Sequence, residues 1–252
     1  MVEFESDTGC HPIAFSSDGF LLRGVLHRPP KTPAPPVVIG SHGLLSNGSS
    51  PKQIALAKRC AACGIAFFRF DHRGCGHSQG LFHDVTSLAQ RCRDLLNAAA
   101  TMAARNDIGP VVGLFGSSMG GAVSLSAAKT LGARAVVTVA APVRSRGIAA
   151  LEDPQMKNPA LPTQGHVPPR TFDIAGQLHG LSHVLIVHGS ADAVVPVENA
   201  HEIHRRVGNP KKLVIQPEGD HRMSDPGHQQ MFADQAMAWF RRHLLSQSES
   251  TP

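Results

Sequence analysis

The chain alternates short, unbroken apolar runs with longer segments of helical periodicity. The runs are Val37 to Gly40, Ile65 to Phe70, Val111 to Phe115, Ala135 to Val139, Val184 to Val187 and Leu213 to Ile215. An apolar run this short, without polar alternation, predicts a strand buried on both faces of a parallel sheet. Between the runs, helices are predicted over 51–63, 85–104, Ser118 to about 131, 197–207 and about 227–245. In the second of these, Arg91, Arg93 and Asp94 are expected to face water. Residues 12–28 predict two antiparallel strands around the turn Ser16-Ser17-Asp18-Gly19. Strands separated by helices predict right-handed βαβ units, hence a mostly parallel sheet flanked by helices and an α/β class.

One stretch breaks the alternation. Residues 144–181 hold Pro154, Pro159, Pro162, Pro168 and Pro169 and no clear strand. A segment this long inside a compact domain suggests a functional lid or a disordered loop, and it reads as a small cap. The expected organisation is one domain over 1–245 with that insertion, followed by a polar, disordered tail over 246–252.

Composition narrows the class. With 42% hydrophobic and 17% charged residues, the chain is neither disordered nor a coiled coil. The net charge is +5, but no Lys/Arg run exceeds two, so the basic balance suits a solvated surface and not nucleic-acid binding. No apolar stretch reaches the ~18 residues that span a bilayer. The start, Met1-Val2-Glu3-Phe4-Glu5, is acidic and lacks the apolar region of a signal peptide. Five cysteines, an odd number without an export signal, suggest reduced thiols and a cytoplasmic location.

The strongest chemical signal is Gly116-Ser117-Ser118-Met119-Gly120, which follows an apolar strand and opens a helix rich in Ala, Ser and Leu. That is the strand–turn–helix setting of a nucleophile elbow, with Ser118 at its apex. The turn is so tight that the positions two residues away must be small. A serine hydroxyl is a weak nucleophile at neutral pH and needs a base. In this architecture the acid follows the nucleophile and the histidine follows the acid. Of fifteen histidines, His221 in Glu218-Gly219-Asp220-His221 follows the last apolar strand. His228 is a rival, at the start of the last helix. Asp192 follows the penultimate strand, before Pro196, and would hold the imidazole in the right tautomer. Glu198 is the nearest substitute. The backbone N–H groups of Met119 and Leu44 are the expected oxyanion donors, with Gly43 allowing a close turn. The His42 imidazole is expected to brace that loop.

These segments, together with Phe70-Asp71-His72-Arg73-Gly74-Cys75-Gly76-His77-Ser78 and His188 to Pro196, resemble the α/β-hydrolase superfamily. The closest resemblance is to small capped serine esterases, the cinnamoyl and feruloyl esterases, with monoacylglycerol lipases and serine aminopeptidases as relatives. The resemblance implies an eight-stranded sheet with a cap after the sixth strand. It implies that Asp71 to Ser78 shapes a loop near the site without catalysing. The chain contains no Tyr, so a cap tyrosine that binds a phenolic ring has no counterpart here.

Other signals are set aside. Cys60-Ala61-Ala62-Cys63 lies at a helix end, where a thiolate gains nothing from the helix dipole, so packing cysteines are expected. His72, His77 and His83 match no metal-ligand spacing and are expected on the surface or in loops. No dinucleotide fingerprint or P-loop is present. The sequence therefore predicts a serine hydrolase of small or medium carboxylic esters acting through an acyl-enzyme, without cofactor or metal. Thioester, peptide, amide and acyl-transfer chemistry would use the same groups, and a non-catalytic binding protein on this fold is the remaining alternative.

Overall fold

The computed structural model describes residues 9–145 and 171–245. Eight strands form one sheet: β1 (Cys10–Ser17), β2 (Phe20–His27), β3 (Val37–Ser41), β4 (Ala66–Phe70), β5 (Val111–Ser117), β6 (Ala135–Val139), β7 (Val184–Gly189) and β8 (Lys211–Gln216). Their spatial order is β1-β2-β4-β3-β5-β6-β7-β8. β1 and β2 form the expected hairpin and β2 pairs antiparallel with β4, while every pair from β4 to β8 is parallel.

The apolar runs become strands because both faces of the sheet are covered. Every residue of β3, β6 and β7 is buried. Successive side chains point to opposite faces. Thus Val38, Phe67 and Phe115 pack under α1 (Pro51–Ala62) and α6 (Pro226–Phe240). Val37, Ile39 and Leu114 pack under the helices of the other face: α3 (Leu88–Ala103), α4 (Met119–Ala128) and α5 (Glu198–Arg206).

The helix expected over 85–104 begins three residues later, at Leu88, as α3, and a separate short helix precedes it. α2 (Phe82–Val85) is a single turn, and the backbone is extended at Thr86 and Ser87. The Ser87 side chain then caps α3 by accepting from the Gln90 N–H. Within α3, only Arg93 faces water as expected. The side chains of Arg91 and Asp94 are fully buried. Both lie on the stripe that carries Leu95, Ala98 and Met102, and that stripe faces the sheet. His72 lies in a loop, one of the two positions expected, but it is fully buried there and not on the surface.

Most of the segment expected to be a cap lies outside the described residues, as does the tail. Its two ends are described and are clipped together. Ser145 N–H donates to Phe172 O at 3.1 Å, and Phe172 N–H donates to Ser145 Oγ at 3.0 Å. Arg144 and Asp173 form an ion pair at 2.8 Å beside them.

Candidate active site

Ser118, Asp192, His221 and the 42–44 loop all follow parallel strands, so the shared strand direction gathers them at the carboxyl edge of the sheet. Ser118 leaves β5 with φ +54° and ψ −125°, a strained backbone for a residue with a side chain. Its N–H is anchored on Val139 O at 2.8 Å. The flanking glycines are required by contact. A Cβ at Gly116 would fall on Gly120 O, and one at Gly120 would fall on Ser41 O. The elbow therefore presses α4 against the end of β3, and Ser118 remains partly exposed above it.

The structure brings the three side chains into line. His221 Nε2 lies 3.1 Å from Ser118 Oγ, and His221 Nδ1 lies 2.8 Å from Asp192 Oδ2. A carboxylate only accepts, so Nδ1 carries the imidazole proton and Nε2 presents its lone pair to the serine. Asp192 Oδ1 accepts from Val194 N–H at 2.9 Å and Val195 N–H at 2.8 Å. Burial pushes the Asp192 carboxyl up. The imidazoles of His188 and His221 and the Val195 N–H outweigh that effect and hold it well below the usual carboxylate range. His228 lies at the start of α6, and its backbone N–H donates to the helix-capping Asp225. Glu198 is exposed on α5.

The loops bearing the acid and the histidine touch because two glycines meet. A Cβ at Gly189 would fall on Gly219 O. Ala191 N–H donates to that same Gly219 O at 3.0 Å. Lys52 Nζ donates at 2.6 Å to the carbonyl of Arg222, the residue after His221.

The 42–44 loop lies beside the serine. A Cβ built on Gly43 would come 3.5 Å from Ser118 Cβ. β3 and β5 are neighbours, with Ser41 opposite Gly116, so the two strands end at one level. His42 braces the loop. Its Nε2 accepts from His72 N–H at 3.0 Å, so its Nδ1–H donates to Gly43 O at 2.7 Å. Burial drives the His42 pKa well down, and the cation of Arg91 adds to this. His72 continues the network: Nδ1–H donates to Asp94 Oδ2 at 3.3 Å, and Nε2 accepts from Ser41 Oγ–H at 2.8 Å. Burial pulls the His72 pKa down to about 4 against the opposing pull of Asp94. Asp94 also holds Arg73 through Oδ1 at 2.8 Å.

Asp71 to Ser78 forms a supporting loop. Asp71 Oδ1 accepts from Gly48 N–H at 2.7 Å and Oδ2 from His77 N–H at 2.8 Å. Cys60 is buried, with its thiol pushed up by desolvation, while Cys63 is half-buried. Among the described residues no group of three or more His, Cys, Asp or Glu is placed to hold a metal ion. None of the described helices is long and apolar enough to cross a membrane.

Two buried side chains in this architecture were not singled out from sequence. His188 Nε2–H is shared between Val195 O at 2.8 Å and Asp192 Oδ2 at 3.2 Å, which adds a second imidazole to the acid. Its position at the end of a buried strand, four residues before Asp192, was the available signal. Arg91 is the other, and its signal was its place on the apolar stripe of α3.

The chain matches a family model described as serine aminopeptidase, S33, over residues 32–171, and a model described as TAP-like protein over 155–247. It is 27% identical over 214 residues to the mitochondrial palmitoyl-protein thioesterase ABHD10 of Mus musculus, covering 75% of this chain and 70% of that protein. It is 28% identical over 192 residues to the uncharacterized protein YfhR of Escherichia coli K12, covering 73% of this chain and 62% of that protein. Among solved structures, Est1E of Butyrivibrio proteoclasticus with bound ferulic acid superposes with a TM-score of 0.76 at 20% identity, over 92% of this chain and 99% of that one. XC6422 of Xanthomonas campestris, described as an α/β serine hydrolase without lid, gives 0.69 at 21% identity, over 99% and 100%. At these identities the two structures speak for the fold alone. The chain belongs to the serine aminopeptidase S33 family of α/β-hydrolases, and it is a hydrolase.

Proposed function

We propose that the protein hydrolyses carboxylic esters of small or medium acyl groups through a covalent acyl-enzyme, with Ser118 as nucleophile, His221 as base and Asp192 as the orienting acid. The observation that carries this reading is the continuous hydrogen-bond chain from Asp192 through His221 to Ser118 Oγ, at 2.8 and 3.1 Å, on a strained elbow. His221 takes the hydroxyl proton as Ser118 attacks the carbonyl carbon. The oxyanion is held by the N–H groups of Leu44 and Met119, each worth about 3 kcal/mol in the transition state. Met119 opens α4, where the first N–H groups have no partner within the helix. The imidazolium then protonates the leaving alcohol. A water activated by the same imidazole attacks the acyl-enzyme and restores Ser118. No cofactor enters these steps. In this reading 1–245 is one domain, and 144–181 is a cap that sets acyl and alcohol preference.

A thioester substrate is the second reading, favoured by the similarity to a protein described as a palmitoyl-protein thioesterase. The test is the hydrolysis rate of p-nitrophenyl acetate, butyrate and octanoate, and of the matching acyl thioesters, by the protein and by Ser118→Ala. Loss of most of the rate in Ser118→Ala supports the serine mechanism, and the ratio of oxoester to thioester rates chooses between substrates. Equal rates for the two proteins would refute it.

A further inference from the structure

Arg91 is a fully buried cation, and no carboxylate among the described residues forms an ion pair with it. Its Nη1 donates to His42 O at 3.1 Å and Gly43 O at 3.2 Å, and its Nη2 to Leu44 O at 3.0 Å and Cys75 Sγ at 3.3 Å. Nε has no acceptor among the described residues. The nearest acid in sequence, Asp94, is engaged by His72 and Arg73. Guanidinium groups stay charged in proteins, and burying one is costly unless it is well paired. Packing alone does not favour this arrangement, because an apolar side chain of similar volume would fill the space as well or better.

The bonds fall where the proposed chemistry needs rigidity. Three consecutive carbonyls, those of residues 42, 43 and 44, converge on one guanidinium. In a planar trans peptide the N–H points opposite to the C=O. The N–H groups of Gly43, Leu44 and Leu45 therefore face away from Arg91. Gly43 C=O and Leu44 N–H are the two ends of a single peptide unit. That carbonyl is bonded twice, by Arg91 and by His42 Nδ1 at 2.7 Å, so the plane of the unit is fixed. Charge-assisted bonds at the oxygen also polarise the amide and strengthen its N–H as a donor.

We propose that Arg91 is a positioning residue for the oxyanion hole: a buried cation that clamps the 42–44 carbonyls and thereby aims the Leu44 N–H at the reacting carbonyl without touching substrate. This rests on the reading of Leu44 N–H as an oxyanion donor. Cys75 extends the clamp, tying the supporting Asp71–Ser78 loop to the same guanidinium.

The test uses Arg91→Met, which keeps an unbranched stem without charge, and Arg91→Lys, which keeps the charge without the fork. Two quantities are measured on protein checked for folding by circular dichroism: kcat and KM for p-nitrophenyl butyrate, and affinity for a trifluoromethyl ketone of the same acyl length. The ketone forms a tetrahedral adduct whose oxyanion occupies the hole. Arg91→Met is expected to lose roughly 10- to 100-fold in kcat with KM within about twofold, and to bind the ketone more weakly by the same factor. Arg91→Lys should recover part of both losses. A role in folding alone would lower the melting temperature without this matched change. A folded Arg91→Met with unchanged kcat and ketone affinity overturns the proposal. Where Arg91→Met does not fold, Arg91→Lys decides: matched losses support the clamp, and wild-type values overturn it. Ser118→Ala runs alongside. Activity retained there sinks the underlying serine mechanism, whereas an inactive Ser118→Ala beside an unaffected Arg91→Met removes only the clamp.

Discussion

Replacing Asp192 by Asn changes one atom and tests the hydrogen-bond logic of the whole site. Four donors converge on the carboxylate: Val194 and Val195 N–H on Oδ1, at 2.9 and 2.8 Å, and the imidazoles of His221 and His188 on Oδ2, at 2.8 and 3.2 Å. An amide accepts on one side only. The two backbone N–H groups can only donate, so the amide oxygen must take the Oδ1 place and the NH2 the Oδ2 place. The NH2 then faces His221 Nδ1, which can meet it only as an acceptor. The imidazole proton moves to Nε2, where Ser118 needs a lone pair. His188 keeps Val195 O at 2.8 Å and loses little. In the proposed mechanism the base is thus switched off while the fold survives. The expected loss in kcat/KM is roughly 10⁴-fold, about 5.5 kcal/mol of transition-state stabilisation. The assay is the initial rate on p-nitrophenyl butyrate near neutral pH, with thermal melts to confirm folding. Asp192→Ala, which takes the acceptor from Val194 N–H, Val195 N–H and His221 Nδ1–H, should lower the melting temperature as well. A folded Asp192→Asn within about tenfold of the parent would refute the argument, because the His221 tautomer would then not depend on Asp192.

Three further outcomes follow from the geometry. In Gly120→Ala the new Cβ falls on Ser41 O, so the elbow must shift; a destabilisation of about 1–3 kcal/mol is expected with a disproportionate fall in kcat, read by thermal melts beside kinetics. The buried, neutral His72 has its pKa lowered to about 4, so the stability it confers is complete above about pH 6.5 and is lost as pH falls towards 4. That loss is on the order of 3 kcal/mol, or roughly 6–12 °C in Tm, and the slope should flatten in His72→Gln; a Tm that does not move between pH 7 and 4.5 refutes it. Asp94, where burial is outweighed by His72 and Arg73 and the pKa falls to about 2, extends the loss below pH 4. Finally, Cys60 and Cys75 are buried with their thiols raised by desolvation. A bulky disulfide reagent should leave both unlabelled in the native protein and reach them only in denaturant; mass spectrometry of the labelled peptides decides.

The sequence revealed the sheet, the helices and the positions of Ser118, Asp192 and His221, because each rests on a local pattern. A buried parallel strand is a short apolar run, and an elbow is a glycine–serine turn between strand and helix. The burial of Arg91 and Asp94 is not legible in this way. Positions 91, 94, 95, 98 and 102 make one helical stripe, so their spacing placed them inside, but their charge suggested water. The partners that make burial tolerable are remote: the carbonyls of 42–44 for Arg91, and His72 and Arg73 for Asp94. Periodicity reports which face a residue occupies, and only the fold reports what is waiting there. His188 was obscured similarly, as a strand residue whose role depends on a turn four residues away. The expected 85–104 helix starts only at Leu88 because Ser87, whose side chain competes with the backbone, caps it there.

The clip between residues 143–145 and 172–174 separates two kinds of change that the chain can undergo. Ile174 N–H donates to Val143 O at 3.0 Å, and together with the Ser145–Phe172 pair it closes the neck from which residues 146–170 depart. With the ends already joined, doubling the length of what lies between them costs only about 0.6 kcal/mol in closure entropy. The neck itself is made by residues 143–145 and 172–174, none of which belongs to the strands that lead to Ser118, Asp192 and His221. A lineage, or an engineer, can thus join segments of different length at this neck at a small entropic cost.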